Sequence, residues 1–460
     1  LLEKIHDALT RFVHDLEERN KDVVRVSSIG KTREGRDLWL LTIGRDPDRV
    51  RPALWLDGNM HALELAGSAT ALHFADTLAR MHKGADVGVS KAMRAALDDA
   101  LVYVLPRMSP DGAERVLKKG GYVRSVPVDD RPDRHTPRWR PDDVDGDGTA
   151  LLMRIRDDAG DFVESKEVAG LMVARSLDDD GPFYKVFPEG VIESFDGVNV
   201  PAWNPFGDNR TDLNRNFPWS WAPEEDQAGA GAFAASTNES RAVVELTSAS
   251  PHIVAWINLH TYGGVYIRPL GHHADDKMDR GDLELYRQME AWVDEFVGYQ
   301  TVSGYEEFLY EPDKPLRGDI VDFAYHQLGC LSVAVELWDL MQKAGLPRKK
   351  KFIDNYQQQA RRDVEQIARF AGDNALRPWK RVTHPQLGDV EVGGLDARFG
   401  IWNPPRAQLA AVCERHVSVF LRLTAMLPRL HVDVVRDGNR VDVVVENRGY
   451  MATSGSSRSE

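Results

Sequence analysis

Apolar residues recur at helical spacing at the start of the chain. Ile5, Leu9, Phe12, Val13 and Leu16 share one face, so residues 1–20 predict an amphipathic helix. The period then changes. "VVRVSSIG" and "DLWLLTIG" read as strands joined by "KTREGR", and "RPALWLDG" is a further apolar run of strand length. Residues 65–84 and 90–99 return to the helical pattern. "ALVYVLPRM", "HIVAWINLH" and "CLSVAVELW" are again apolar and β-rich. Such runs, separated by helical segments, describe strands buried on both faces. The predicted fold class is α/β: a mixed, mostly parallel sheet between helices, an α/β/α sandwich. In sheets of this kind function gathers just beyond the carboxyl ends of the strands. His61 follows one such run, His260 closes another, and Glu336 lies near the end of a third.

Two stretches break the rhythm. Residues 125–205 are rich in Asp, Pro, Gly and Arg and read as a long insertion. After residue 375 "THPQLGDVEVGG" and "FGIWNPP" are loop-like, 405–425 is helical, and "RLHVDVVRDGNRVDVVVENRG" alternates around Asp437-Gly438 as a hairpin does. The expected division is a domain of residues 1–375 carrying the insertion, and an extension of residues 376–460 that begins a β-sandwich or leans on the main body. No internal repeat is apparent.

Composition narrows the function classes. A net charge of −14 disfavours nucleic acid or an anionic membrane as the main partner, and no apolar run approaches the ~20 residues that span a bilayer. Cys330 and Cys413 are flanked by apolar residues and read as buried thiols. The chain starts without a methionine or signal peptide. The expectation is a processed form or fragment, compatible with a secreted or periplasmic enzyme.

The candidate chemistry begins at "LDGNMHALELAGSATALHF", where His61 and Glu64 stand three residues apart at a strand-to-helix junction. With 14 histidines and 72 acidic residues among 460, roughly two such pairs arise by chance. His14 with Glu17, and His273 with Asp276, are of that kind. Context separates His61 from them. "GNMHALE", "SPDG", "DLNRNF", "INLHTYGG" and "VDFAYHQLGCLSVAVELWD" follow one another between residues 30 and 340. In that order they resemble the carboxypeptidase A-like zinc metallocarboxypeptidases, the funnelins.

The resemblance implies one zinc held by His61, Glu64 and His260. That set leaves a fourth position for water, as catalytic zinc requires. It implies that Glu336 is general base and acid, and an ionised carboxylate in so apolar a strand needs a reason to be there. Asn214 and Arg215 would hold the substrate's terminal carboxylate, for which the planar guanidinium is suited. Tyr262 would contact substrate. Arg124 in "GYVRS" would meet the charge developing on the scissile carbonyl, with Arg138 and Arg140 as rivals near the insertion.

Three features depart from the family's pattern. Leu63 stands where the pancreatic-type enzymes carry an arginine. Tyr310 is the nearest tyrosine for the mobile active-site role, at a different spacing. Glu64 and His260 are separated by far more chain than in compact members. The side-chain pocket would be read by Val321, a neutral floor favouring an apolar C-terminal residue. A one-residue shift would bring Asp319 or Ile320 instead, and an aspartate would favour Lys or Arg. In the insertion, Asp143, Asp145 and Asp147 before Gly148 look like half of a calcium loop whose twelfth position is Arg154. The function expected is a zinc metallocarboxypeptidase acting on peptide or protein C-termini. The alternatives are a zinc amidohydrolase of cell-wall peptides or N-acyl amino acids, and a non-catalytic peptide-binding module on the same fold.

Overall fold

The computed structural model of the chain describes residues 5–127, 136–203, 211–311, 314–349, 351–356, 359–372 and 375–459. Helix α1 (His6–Arg19) leads into β1 (Val24–Lys31), β2 (Asp37–Ile43) and β3 (Ala53–Gly58). Then come α2 (Leu65–His82), α3 (Lys91–Asp99), β4 (Leu101–Leu105) and α4 (Pro110–Lys119). Six short strands follow: β5 (Arg138–Pro141), β6 (Leu152–Arg156), β7 (Phe162–Glu164), β8 (Met172–Ala174), β9 (Phe183–Pro188) and β10 (Gly190–Glu193). The main body resumes with α5 (Asn238–Ser248), β11 (Ile253–His260), β12 (Val265–Arg268), α6 (Arg280–Phe296), β13 (Gln300–Ser303), α7 (Ile320–Asp322) and β14 (Leu331–Glu336). The remainder comprises α8 (Leu340–Lys343), α9 (Arg361–Ala371), β15 (Leu376–His384), β16 (Gly388–Leu395), α10 (Arg406–Ala425), β17 (Leu430–Asp437) and β18 (Arg440–Asn447).

Eight strands form the central sheet in the order β1-β2-β4-β3-β11-β14-β12-β13. Its middle, β4-β3-β11-β14, is parallel, and β1/β2, β2/β4 and β12/β14 are antiparallel. This is the mixed, mostly parallel α/β sandwich the apolar runs implied. Successive side chains of a strand point to opposite faces. Thus Leu54, Leu56, Ile257, Leu259, Val333 and Val335 join the core under α1, α2, α6 and α10. Trp55, Trp256 and Ala334 turn to the other face, with Val243 of α5 and Phe323. Every residue of β3 and β11 is buried, which is why these strands read as continuous apolar runs rather than alternations. Register aligns the strand ends: Leu259 pairs with Gly58, and His260 pairs with Glu336.

The insertion is β-structured. Four of its strands build a second sheet in the order β15-β16-β6-β9-β7-β8, to which the segment after residue 375 supplies two of the six strands, while β5 and β10 pair with each other. "THPQLGDVEVGG", expected as loop, is the end of β15 and most of β16. Val390 and Val392 alternate inward and pack on Trp139, Met153 and Phe187. Glycines at both ends shortened the alternation below what marks a strand in sequence. Helix α10 packs on α2 and α6. The expected hairpin is β17–β18; among the described residues its strands pair only with each other, and the valines on both are exposed. Cys330 and Cys413 are buried free thiols. Among the described residues, no helix is long and apolar enough to cross a membrane.

Candidate active site

The end of β3 turns sharply into α2, and the turn carries His61 to Glu64. Glu64 N–H donates to the His61 carbonyl at 3.0 Å, and α2 starts at Leu65. Strand end and helix lie backbone to backbone. A Cβ on Gly67 would come within 2.9 Å of the Asn59 nitrogen, so only glycine admits this approach. His260 ends the adjacent strand β11.

The three side chains converge. His61 Nδ1 lies 2.8 Å from Glu64 Oε1, His260 Nδ1 lies 2.9 Å from Glu64 Oε2, and the two Nδ1 atoms are 3.1 Å apart. All three residues are buried. The outer nitrogens face oxygen acceptors. His61 Nε2 is 3.1 Å from Asp212 Oδ1, and His260 Nε2 meets Asn258 Oδ1. Those partners assign the proton of each ring to Nε2 and turn the Nδ1 lone pairs inward. Two inward imidazole nitrogens and a carboxylate in one buried spot are the N,N,O donor set of catalytic zinc, and the residues fit that ion. Burial alone would raise the Glu64 pKa, but His61 and His260 beside it bring it down to about 2. The carboxylate is thus an anion, as a ligand must be. A third layer lies behind Asn258. Its Nδ2 donates to Asp57 Oδ1 at 2.6 Å, while Trp55 and Trp256 donate to Asp57 Oδ2 at 3.0 and 2.8 Å.

A cavity of about 500 Å³ opens over this cluster. Its wall includes Glu336, Arg124, Asn214, Arg215, Tyr262, Tyr310 and Val321, so the expected site residues share one chamber. Glu336 Oε2 is buried with no hydrogen-bond partner among the described residues. Burial and the nearby Glu64 push the Glu336 pKa well above the usual carboxylate range, against the pull of Arg124. Arg124 Nε donates to Asp212 Oδ2 at 2.9 Å, and its Nη1 is 3.8 Å from Glu64 Oε1. Its rivals are elsewhere: Arg138 and Arg140 sit on β5 and pair with Glu193 at 3.0 and 3.3 Å. Asp212 is buried, which disfavours its charge. Arg124, then His61, nevertheless hold its pKa well below the usual range.

Asn214 Oδ1 accepts from Ile320 N–H at 3.0 Å, and Asn214 N–H donates to Asp212 Oδ1 at 2.8 Å. No described acidic side chain lies within ion-pair distance of the Arg215 guanidinium; its Nη1 donates to the Asn214 carbonyl at 2.5 Å. Both pocket readings reach the wall in part. Val321 and Asp319 line it, with Asp322, while Ile320 is packed in the core.

The acidic loop of the insertion takes another form. Asp143 accepts from Gly146, Asp147 and Gly148 N–H, Asp145 accepts from Asp147 N–H, and Asp147 accepts from Thr149 N–H. Lys380 Nζ lies 3.2 Å from Asp145 Oδ2. Arg154, where a calcium loop needs its last carboxylate, pairs with Glu391 at 2.7 Å and Glu164 at 2.9 Å. These carboxylates brace a turn, and calcium is not supported. The chance pair His14–Glu17 lies on an exposed helix face at 3.6 Å.

Asp212, Asn258, Tyr122, Tyr356 and Trp402 were not singled out in the sequence. Asp212 stands inside "DLNRNF" and Asn258 two residues before His260, so the motifs held two of them.

Comparison with known proteins agrees. A family model described as zinc carboxypeptidase matches residues 9–148 and 199–362, more than half of the chain, and the gap falls within the insertion. Carboxypeptidase M of Mus musculus is 28% identical over 119 residues, 25% of this chain and 26% of that protein. Carboxypeptidase A6 of Mus musculus is 31% identical over 101 residues, 22% of each chain. The matched stretch thus spans about a quarter of these relatives' length. Among solved structures, thrombin activatable fibrinolysis inhibitor superposes with a TM-score of 0.52 at 16% identity, covering 92% of this chain and 74% of that one. The bovine protein in complex with tick carboxypeptidase inhibitor gives 0.50 at 15% identity, covering 92% and 96%. At these identities the likeness shows the fold.

Proposed function

Because the chain belongs to the zinc carboxypeptidase family, we propose that it hydrolyses the C-terminal peptide bond of peptides through the chamber over His61, Glu64 and His260. The single observation that carries the reading is the composition of that chamber. A His₂Glu cluster, an unpartnered buried carboxylate and an arginine free of acidic partners among the described residues face one cavity.

Zinc held by the three side chains would polarise the scissile carbonyl and acidify a water. Glu336 Oε2 takes a proton from the attacking water and returns it to the departing amine. The carboxylate oxygen is buried without a hydrogen-bond partner among the described residues, so it is available for that proton. Arg124 is pinned by Asp212 beside Glu64 and meets the negative charge that grows on the carbonyl oxygen. Arg215 takes the terminal carboxylate in a two-bond fork, with Asn214 beside it. Tyr262 and Tyr310 cover the bound residue. The side chain of that residue enters the wall formed by Val321, Asp319 and Asp322.

The test is a pair of matched peptides, one with a free and one with an amidated C-terminus. Amidation leaves the Arg215 charge unpaired, at roughly 2–5 kcal/mol by analogy with truncated charge pairs. At ~1.4 kcal/mol per factor of ten this is about 30-fold to several thousand-fold in kcat/KM. Arg215→Ala should erase most of the difference. Equal cleavage of both ends, or cutting at internal bonds, would overturn the exopeptidase reading.

A further inference from the structure

Trp402 in the wall of the chamber belongs to a strap, residues 397–403, that lies outside both segments that match the family. Asn403 is fully buried. Its Nδ2 donates to the Leu63 carbonyl at 2.9 Å and the Arg398 carbonyl at 2.7 Å, and its Oδ1 accepts from Ala66 N–H at 2.8 Å. Leu63 and Ala66 bracket Glu64, so this asparagine is tied to the turn that carries it. The next anchor is Trp402. Its carbonyl accepts from Thr261 Oγ1, next to His260, and its N–H donates to the Ala397 carbonyl at 2.9 Å. The strap is thus stitched to both turns of the His-Glu-His cluster.

The strap also fixes an aromatic surface. The half-buried Trp402 indole lines the chamber. It meets the Tyr262 ring edge-on at 5.2 Å and 82°, and the Tyr122 ring at 5.7 Å. The end of the chamber proposed to take the carboxylate is built differently, from Asn214 and Arg215 with Asp319 and Val321, and Asn214 is bonded to Ile320 N–H there. A peptide held by its terminal carboxylate at Arg215 and reacting over the cluster must leave the chamber past the remaining wall. Trp402, bonded through its carbonyl to Thr261 beside His260, and Tyr122, two residues from Arg124, form a part of that wall beside the cluster, against which the side chain preceding the scissile bond can rest. An aromatic cradle around a rim favours apolar and aromatic groups.

We propose that Trp402 determines specificity for the penultimate residue of the substrate, selecting an aromatic or large apolar side chain there. This rests on the carboxypeptidase reading above. The strap brings to the site a substrate contact that the family-matched segments do not contain.

The experiment compares two peptides with the same free C-terminal residue, one with Phe and one with Gly in the penultimate position, on wild type, Trp402→Ala and Trp402→Phe. In wild type the Phe peptide should be favoured by about 3- to 10-fold or more in kcat/KM, the range an aromatic contact supplies at ~1.4 kcal/mol per factor of ten. Trp402→Ala should bring the ratio toward one, chiefly through KM, and Trp402→Phe should keep most of it. A purely structural Trp402 would slow both peptides alike and leave the ratio intact, which overturns the proposal. So does a wild type that cleaves both peptides equally well. A wild type that cleaves no peptide with a free C-terminus overturns the carboxypeptidase reading, and this proposal falls with it.

Discussion

Glu336 Oε2 is the atom most exposed to a decisive substitution. Glu336→Gln keeps volume and shape but cannot take a proton, so zinc content should stay at one per chain while kcat falls by at least ~100-fold. Metal analysis beside steady-state rates separates this from a broken site; near-normal turnover would assign the base elsewhere. Asn258 makes a different case, because it touches His260 and not the substrate chamber's contents. Replacing it with Ala frees His260 Nε2 and removes the donor to Asp57 Oδ1, leaving Asp57 to the two tryptophans. Loss of such an outer partner lowers metal affinity by about 10- to 100-fold, measurable by competition with a chromophoric chelator. His61, Glu64, His260 and Glu336 were legible in sequence because each closes an apolar strand run or follows one. Their partners were not. Asp212 meets His61 across 151 positions, and no local pattern announces which of many aspartates will do so.

At the level of elements, α7 puts two carboxylates into the pocket wall. Burial raises the Asp322 pKa well above the usual range, and Asp319 adds to it; burial likewise raises Asp319. Both groups hold protons longer in the folded chain than in the unfolded one. Stability from this source is therefore complete below the ordinary carboxylate pKa near 4 and is lost as pH rises through the raised values. Urea midpoints should fall from pH 5 to pH 8 less steeply in Asp322→Asn than in wild type; parallel slopes would show that the pair does not set this dependence. In the second sheet, Arg154 is clasped by Glu164 and Glu391 and stacked 4.4 Å from both Tyr184 and Trp379. Arg154→Ala removes two charged hydrogen bonds and the guanidinium stacked on Tyr184 and Trp379, and ~1–3 kcal/mol of stability should go with it, read by chemical denaturation. The insertion's β-structure was hidden in sequence because its strands are three to six residues long. The partner that extends them at β6 is β16, which lies far along the chain, and the pairing reveals the sheet.

For the whole molecule, the central sheet was legible because strands buried on both faces leave unbroken apolar runs, while helices between them keep a 3.6-residue period. What pattern could not supply was closure. Helix α10 and the strap after Asp396 come from the segment read as an extension, yet they pack on α2 and on the turn that carries Glu64. Removing the metal should be felt globally, since a ligand bound only by the folded chain stabilises it by mass action. A chelator should lower the melting temperature, and added zinc should restore it; His260→Ala should start low and not respond.

The strap has one more consequence, for the order in which the site comes into being. A ribosome releases the chain from the N-terminus, at ~5–20 residues per second. By the time Glu336 has emerged, the three proposed ligands and the proposed base are present, yet Asn403 is still unmade. Until it arrives, Leu63 and Ala66 lack the side chain that holds their turn, and the central sheet lacks α10. A nascent or prematurely terminated chain ending before residue 397 would therefore carry His61, Glu64, His260 and Glu336 and still lack the strap that holds the Glu64 turn. The turn that carries Glu64 is thus completed by a side chain made more than 300 residues after it, distant along the chain and adjacent in the fold.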